Sequence, residues 1–150
     1  MKTLLLLVIT VLTSVMQTQD EMKSDKAEIK EVIQIAYVDG IQNLGDIAEI
    51  EKGFHPRFSL PILRNNEIRE LPIKTWIESV KRRKAENPNG LAKDQITTVE
   101  FLNIDITGVA AVAKIKLIKG GKATYIDYLS LYKFEEGWRI VGKIYHTLPR

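Results

Sequence analysis

A chain of 150 residues, 45% hydrophobic and 27% charged, carries enough apolar material for one globular domain and too much for a disordered chain. It has no cysteine, which excludes disulfide frameworks, cysteine-ligated zinc or iron–sulfur sites, and the thioether-linked lipid of a bacterial lipoprotein. The formal charge of +3 is too small for the strong positive field of a nucleic-acid binder.

Lys2 precedes an uncharged run, Leu4 to Met16, that ends abruptly at Gln17-Thr18-Gln19-Asp20. This is the pattern of a secretory signal peptide, taken as residues 1–19, with cleavage anywhere between 14 and 20. As a helix the run would cover about 20 Å at 1.5 Å per residue, short of the roughly 30 Å hydrocarbon core, so no stable membrane anchor is expected. Export without cysteine fits a bacterial periplasm or exterior. The folding unit is then 25–150.

Asp25 and Glu28 form a capping-box pair, and Ile29, Val32, Ile33, Ala36 and Tyr37 recur at helical spacing, so a helix is expected from Asp25 to the Asp39-Gly40 stop. Gly45-Asp46 with Glu49 opens a second, short helix that ends at Gly53. Phe54-His55-Pro56 turns the chain into a strand of alternating Phe58, Leu60 and Ile62, which Pro61 confines to an edge or a bulge. Asn65-Asn66 marks a hairpin with Ile68 to Leu71 returning, and Pro72 takes the first position of a third helix carrying Ile73, Trp76, Ile77 and Val80. That helix ends at Asn87-Pro88-Asn89-Gly90. Four β-branched, alternating stretches follow, Ile96–Ile106, Val109–Ile118, Lys122–Phe134 and Trp138–His146, joined by short glycine turns as an antiparallel meander. Helices early and a sheet late read as α+β.

This order of elements, with Gly45-Asp46, Phe54-His55-Pro56 and the tail from Asp127-Tyr128-Leu129-Ser130-Leu131-Tyr132 through Trp138-Arg139-Ile140-Val141 to His146, resembles the nuclear transport factor 2-like superfamily and, within it, the putative lumazine-binding family. The resemblance implies a cone-like barrel in which a curved, mostly antiparallel sheet wraps around three N-terminal helices and leaves a pocket at its open end. Relatives include ketosteroid isomerase, polyketide cyclases, dehydratases and members without enzymatic role, so fold alone does not decide activity.

Asp127 interrupts an apolar strand whose same-face neighbours are Tyr125, Leu129 and Leu131. Inside a pocket its carboxyl could stay protonated and donate; near the open end it would be wet or paired with a lysine. His55 stands where isomerase-like relatives place the aspartate that acts as base, and a histidine could take that role or be a structural corner residue. Tyr37 matches in rough position the tyrosine that those relatives use as an oxyanion donor, though its stripe is equally a core stripe. Trp76, Trp138 and Phe58 could line a pocket or simply pack. His146 shares parity with Trp138, Ile140 and Ile144, near where the last strand meets the pocket mouth. Lys81-Arg82-Arg83-Lys84 surrounds a helix end without forming a stripe, and two distant histidines make no metal motif, so neither nucleic acid, metal nor cofactor is expected.

Three functions follow. The first is an exported, non-catalytic pocket protein that binds a small apolar or aromatic molecule through Tyr37, Phe58, Trp76, Asp127, Trp138 and His146. The second is a cofactor-independent isomerase, dehydratase or cyclase using Asp127, His55 and Tyr37, which requires the three side chains to converge on one cavity. The third is a structural or interaction module. In it a homodimer forms through the outer sheet face of Ile126, Tyr128, Ser130, Tyr132 and Phe134.

Overall fold

The structure, a computed structural model, describes residues 20–149. The signal segment expected over residues 1–19 lies outside the described residues. The first helix, α1, is α-helical over 20–32 and continues as a π-helix, Ile33–Gln42. After it come α2 (Ile47–Gly53), β1 (Phe54–Arg64), β2 (Glu67–Pro72), α3 (Ile73–Glu86), a 3₁₀ turn at Lys93–Gln95, β3 (Thr97–Thr107), β4 (Ala110–Lys119), β5 (Lys122–Phe134) and β6 (Gly137–Thr147). The six strands form one sheet in the order β2-β1-β6-β5-β4-β3, antiparallel except where β1 runs parallel to β6. The curved sheet closes over the helices as an α+β cone, and the core between them is built from Ile29, Ile33, Ile41 and Ile50 of the helices and Ile115, Leu117, Leu129 and Ile140 of the sheet. Among the described residues no helix is long and apolar enough to cross a membrane.

Three of the expected boundaries move. Asp25 is not a cap, because α1 is already helical at residue 20; its carboxylate is buried and accepts from Lys133 Nζ at 2.7 Å and Trp138 Nε1 at 3.0 Å. Gly40 does not stop the helix, which runs two residues further and ends at Asn43-Leu44, where Leu44 has φ +61°. Gly40 instead admits α2: a Cβ there would stand 2.5 Å from Ile50 Cγ1. Phe54-His55-Pro56 is the first part of β1 and not a turn before it.

Other boundaries fall where local chemistry puts them. Asp46 caps α2 by accepting from the Ala48 N–H at 2.9 Å, and Asn65-Asn66 adopts the two positive φ values, +49° and +64°, of a tight hairpin. Pro61 lies past Ser59, the last β1 residue paired with β6, so its missing N–H falls where β1 is bonded only to β2. The register slips once in each of the β3–β4, β4–β5 and β5–β6 pairings. Such bulges add local twist and bend, which curves the sheet around the helices.

Candidate functional site

The slip between β5 and β6 decides the site. Leu131 pairs with Ile140 and Ser130 with Gly142, leaving Val141 as the extra residue. Side chains alternate along a strand, so one extra residue exchanges the two faces beyond it. Trp138 and Ile140 point inward before the bulge; after it Lys143 is buried and Tyr145 half-buried, while Ile144 and His146 are exposed. His146 therefore lies on the outer face, opposite Ile126, and not at the pocket. Strand parity counted without the bulge puts it on the wrong side.

β5 brings Asp127 to the same inner face, next to Lys143, and α1 brings Tyr37 from above. The Tyr37 hydroxyl donates to Asp127 Oδ2 at 2.5 Å, and Lys143 Nζ lies 3.0 Å from the same oxygen. Asp127 is 0% exposed and Lys143 6%. The ammonium also sits over the rings of Tyr145, 4.6 Å from its centroid, and Tyr37, at 5.3 Å, which return part of the hydration it has lost. Asp127 Oδ1 is buried with no donor among the described residues.

Burial shifts both partners of the carboxylate. It pushes the Tyr37 phenol well above its usual range, and the negative charge of Asp127 pushes the same way, so Tyr37 stays a hydrogen-bond donor. Burial pulls the Lys143 ammonium below its usual range, with Asp127 only partly opposing it.

The cluster forms one wall of a cavity of about 220 Å³, where Trp76, Tyr125 and Tyr145 supply aromatic surface, Leu60 and Leu71 apolar surface and Gln42 an amide. Tyr37 and Gln42 are five residues apart, a spacing that the i→i+5 hydrogen bonding of the π-helical stretch places on one face. The rings interlock: Trp76 meets Tyr37 edge-on at 5.9 Å and stacks on Phe58 at 6.1 Å, and Tyr125 meets Tyr145 edge-on at 5.6 Å. Phe58 is buried behind Trp76 and supports the wall without lining it.

The remaining candidates lie elsewhere. Trp138 lines a separate depression of about 320 Å³ between α1, α2 and the β5–β6 turn, rimmed by Glu28, Glu31, Glu49 and Lys52, and its indole N–H is committed to Asp25. His55 stacks on Phe134 at 5.1 Å, its Nδ1 accepts the Arg57 N–H at 3.1 Å, and it is not among the residues lining the Tyr37 cavity. The structure thus joins Tyr37 and Asp127, sets Trp76 beside them, and adds Lys143, Tyr145 and Gln42. No cluster of metal-ligating side chains occurs among the described residues.

Residues 24–146 match the model of the family described as putative lumazine-binding. The chain belongs to that family. Its fold is that of nuclear transport factor 2-like proteins of unknown function from Silicibacter pomeroyi (TM-score 0.67, 16% identity, 85% of this chain and 98% of the other), Shewanella baltica (0.65, 25%, 85% and 96%) and Methylobacillus flagellatus (0.62, 23%, 84% and 94%). No curated protein matches the sequence.

Proposed function

We propose that the protein is an exported carrier or sensor whose cone pocket binds a small, flat, largely apolar molecule without turning it over. The observation that carries this reading is the aromatic cavity itself, closed at one wall by a Tyr37–Asp127–Lys143 cluster whose charges cancel. An apolar cavity of about 150 Å³ already accepts benzene, so about 220 Å³ suits a single substituted ring. The modest charge of the chain agrees with a neutral ligand. Isothermal titration with phenol, benzyl alcohol and indole tests it: at least one should bind, and Trp76→Ala should weaken that binding by about tenfold or more, the scale of one lost buried aromatic contact. Binding that Trp76→Ala leaves untouched refutes the assignment of the cavity.

The short Tyr37–Asp127 contact favours a second reading, proton-transfer chemistry of the isomerase, dehydratase or cyclase kind, since a tyrosine beside a buried carboxyl can stabilise an oxyanion. His55 stacks on Phe134 and does not line the cavity, so such an enzyme would rely on Asp127 and Tyr37. Deuterium exchange at the α-carbon of a bound ketone, abolished by Asp127→Asn, would establish it. Export rests on the signal-like first 19 residues, and mass spectrometry of the mature N-terminus from a periplasmic fraction tests that part.

A further inference from the structure

The geometry points to Lys143 as an amine that captures a small aldehyde or ketone in the cavity as an imine. The proposal rests on the reading of that cavity as a ligand site, and it assigns covalent chemistry to a residue that binding alone does not need.

A buried lysine whose only role is to neutralise a buried aspartate would be expected to sit behind the core. Lys143 instead forms part of the cavity wall, its Nζ over the rings of Tyr37 and Tyr145 and 3.0 Å from Asp127 Oδ2. Among the described residues Asp127 Oδ2 is the one oxygen paired with Nζ, and the ammonium otherwise lies against the Tyr37 and Tyr145 rings. A lysine desolvated in an apolar pocket is the arrangement that makes an amine nucleophilic at neutral pH, because less of it is held as ammonium. The lowered proton affinity of Lys143 agrees with that placement.

The neighbours supply what the condensation needs. The ammonium gives one proton to Asp127 Oδ2, 3.0 Å away, and the freed lone pair forms the C–N bond while the carbonyl π pair moves to oxygen. Asp127 returns that proton to the oxygen, with the Tyr37 hydroxyl, 2.5 Å from Oδ2, placed to donate a hydrogen bond as negative charge develops. The second nitrogen proton then moves to the same oxygen, the nitrogen lone pair expels water, and the C–O bond breaks. The balance is ammonium plus carbonyl giving iminium plus water. Charge is conserved, no oxidant or reductant is used, and the iminium keeps Asp127 as its counter-ion.

The test incubates the mature protein with benzaldehyde and cyanoborohydride at pH 7 and maps the alkylated lysine by peptide mass spectrometry, with benzyl alcohol binding measured in parallel. The expected result is alkylation of Lys143 about tenfold or more faster than any exposed lysine, as a desolvated amine held in a ligand cavity should show, and its suppression by excess benzyl alcohol. Lys143→Arg keeps a cation beside Asp127 and cannot form an imine, so it should lose the fast adduct. Benzyl alcohol binding with alkylation spread over exposed lysines overturns the imine and leaves the cavity reading standing. Absence of both overturns both. If Lys143→Arg does not fold, the mapped position and its protection in the wild-type protein decide the matter alone.

Discussion

Asp127 and Lys143 form an ion pair inside the core, where two solvation losses stand against one attraction. Removing one partner leaves the other charge buried, so Lys143→Met should lower unfolding free energy in urea by about 3–5 kcal/mol, whereas adding Asp127→Leu should recover part of that loss, the remainder being the buried Tyr37 hydroxyl left without its acceptor. Equal losses in the single and double variants would show that the ion pair has no such coupling. The pair also sets a pH dependence. Lys143 binds its proton less tightly when folded than at the ordinary 10.5 of the unfolded chain, so between those values the unfolded state holds more protons and stability rises with pH. The penalty is fully present below the folded value and disappears above 10.5, and Lys143→Met should flatten that rise in urea titrations at alkaline pH.

Asp25 shows the opposite sign. Burial raises its pKa, but the hydrogen bonds from Lys133 and Trp138 outweigh that and hold it below 3.8. Its stabilisation is therefore complete above 3.8 and lost as pH falls through the lower folded value. Asp25→Ala leaves the buried Trp138 N–H without its acceptor, and tryptophan-detected urea unfolding should show a loss of about 1–3 kcal/mol. Asp25→Asn, which keeps an acceptor oxygen, should lose less. The sequence pointed to Asp25 as a cap because a carboxylate three residues before a glutamate at the edge of an apolar stripe has that local signature. Its actual partners are more than a hundred residues away and leave no local trace.

At the scale of elements, most of the sheet was legible, because turn residues and alternation are local: Lys122–Phe134 came out with the bounds expected for it, and its inner face of Tyr125, Asp127, Leu129 and Leu131 with it. The face of β6 was not, since a bulge is one residue in the register of two strands. Its local sign is Gly142, a glycine inside a strand, which is a recognised bulge marker. That single residue separates a site with a histidine from the site with a lysine and a tyrosine. Helix contacts carry a similar sign in Gly53, whose missing Cβ would meet the Cβ of Ala36 on α1 inside contact distance. Gly53→Ala should force α1 and α2 apart and cost about 1–3 kcal/mol in thermal or urea unfolding, the range for overpacking a tight core. A variant as stable as wild type would mean that the α1–α2 contact gives way freely.

For the molecule as a whole, the outer sheet face is the remaining question. Beyond the inward-facing residues, β4, β5 and β6 expose Val112, Tyr128, Tyr132, Phe134 and Ile144, with Tyr132 half exposed and Ile144 57% exposed. Isolated apolar residues on a surface need no explanation, but several large ones on neighbouring strands of one face form a patch of the kind that partners cover. We propose that a second copy of the chain covers it, face to face, with the pocket on the opposite side of the sheet free to open. A stable dimer buries about 800 Å² per partner, so apolar contact across three strands would have to be continuous, and a charge at its centre should break it. Ile144→Glu combined with Tyr132→Glu should therefore sediment as a monomer at micromolar concentration where the wild-type protein sediments as a dimer. Both positions are exposed, so the monomer should stay folded, and it should retain benzyl alcohol binding because Trp76, Tyr145 and Lys143 face the other way. A wild-type protein that sediments as a monomer removes the dimer, and a monomeric variant that loses binding would tie the pocket to the interface.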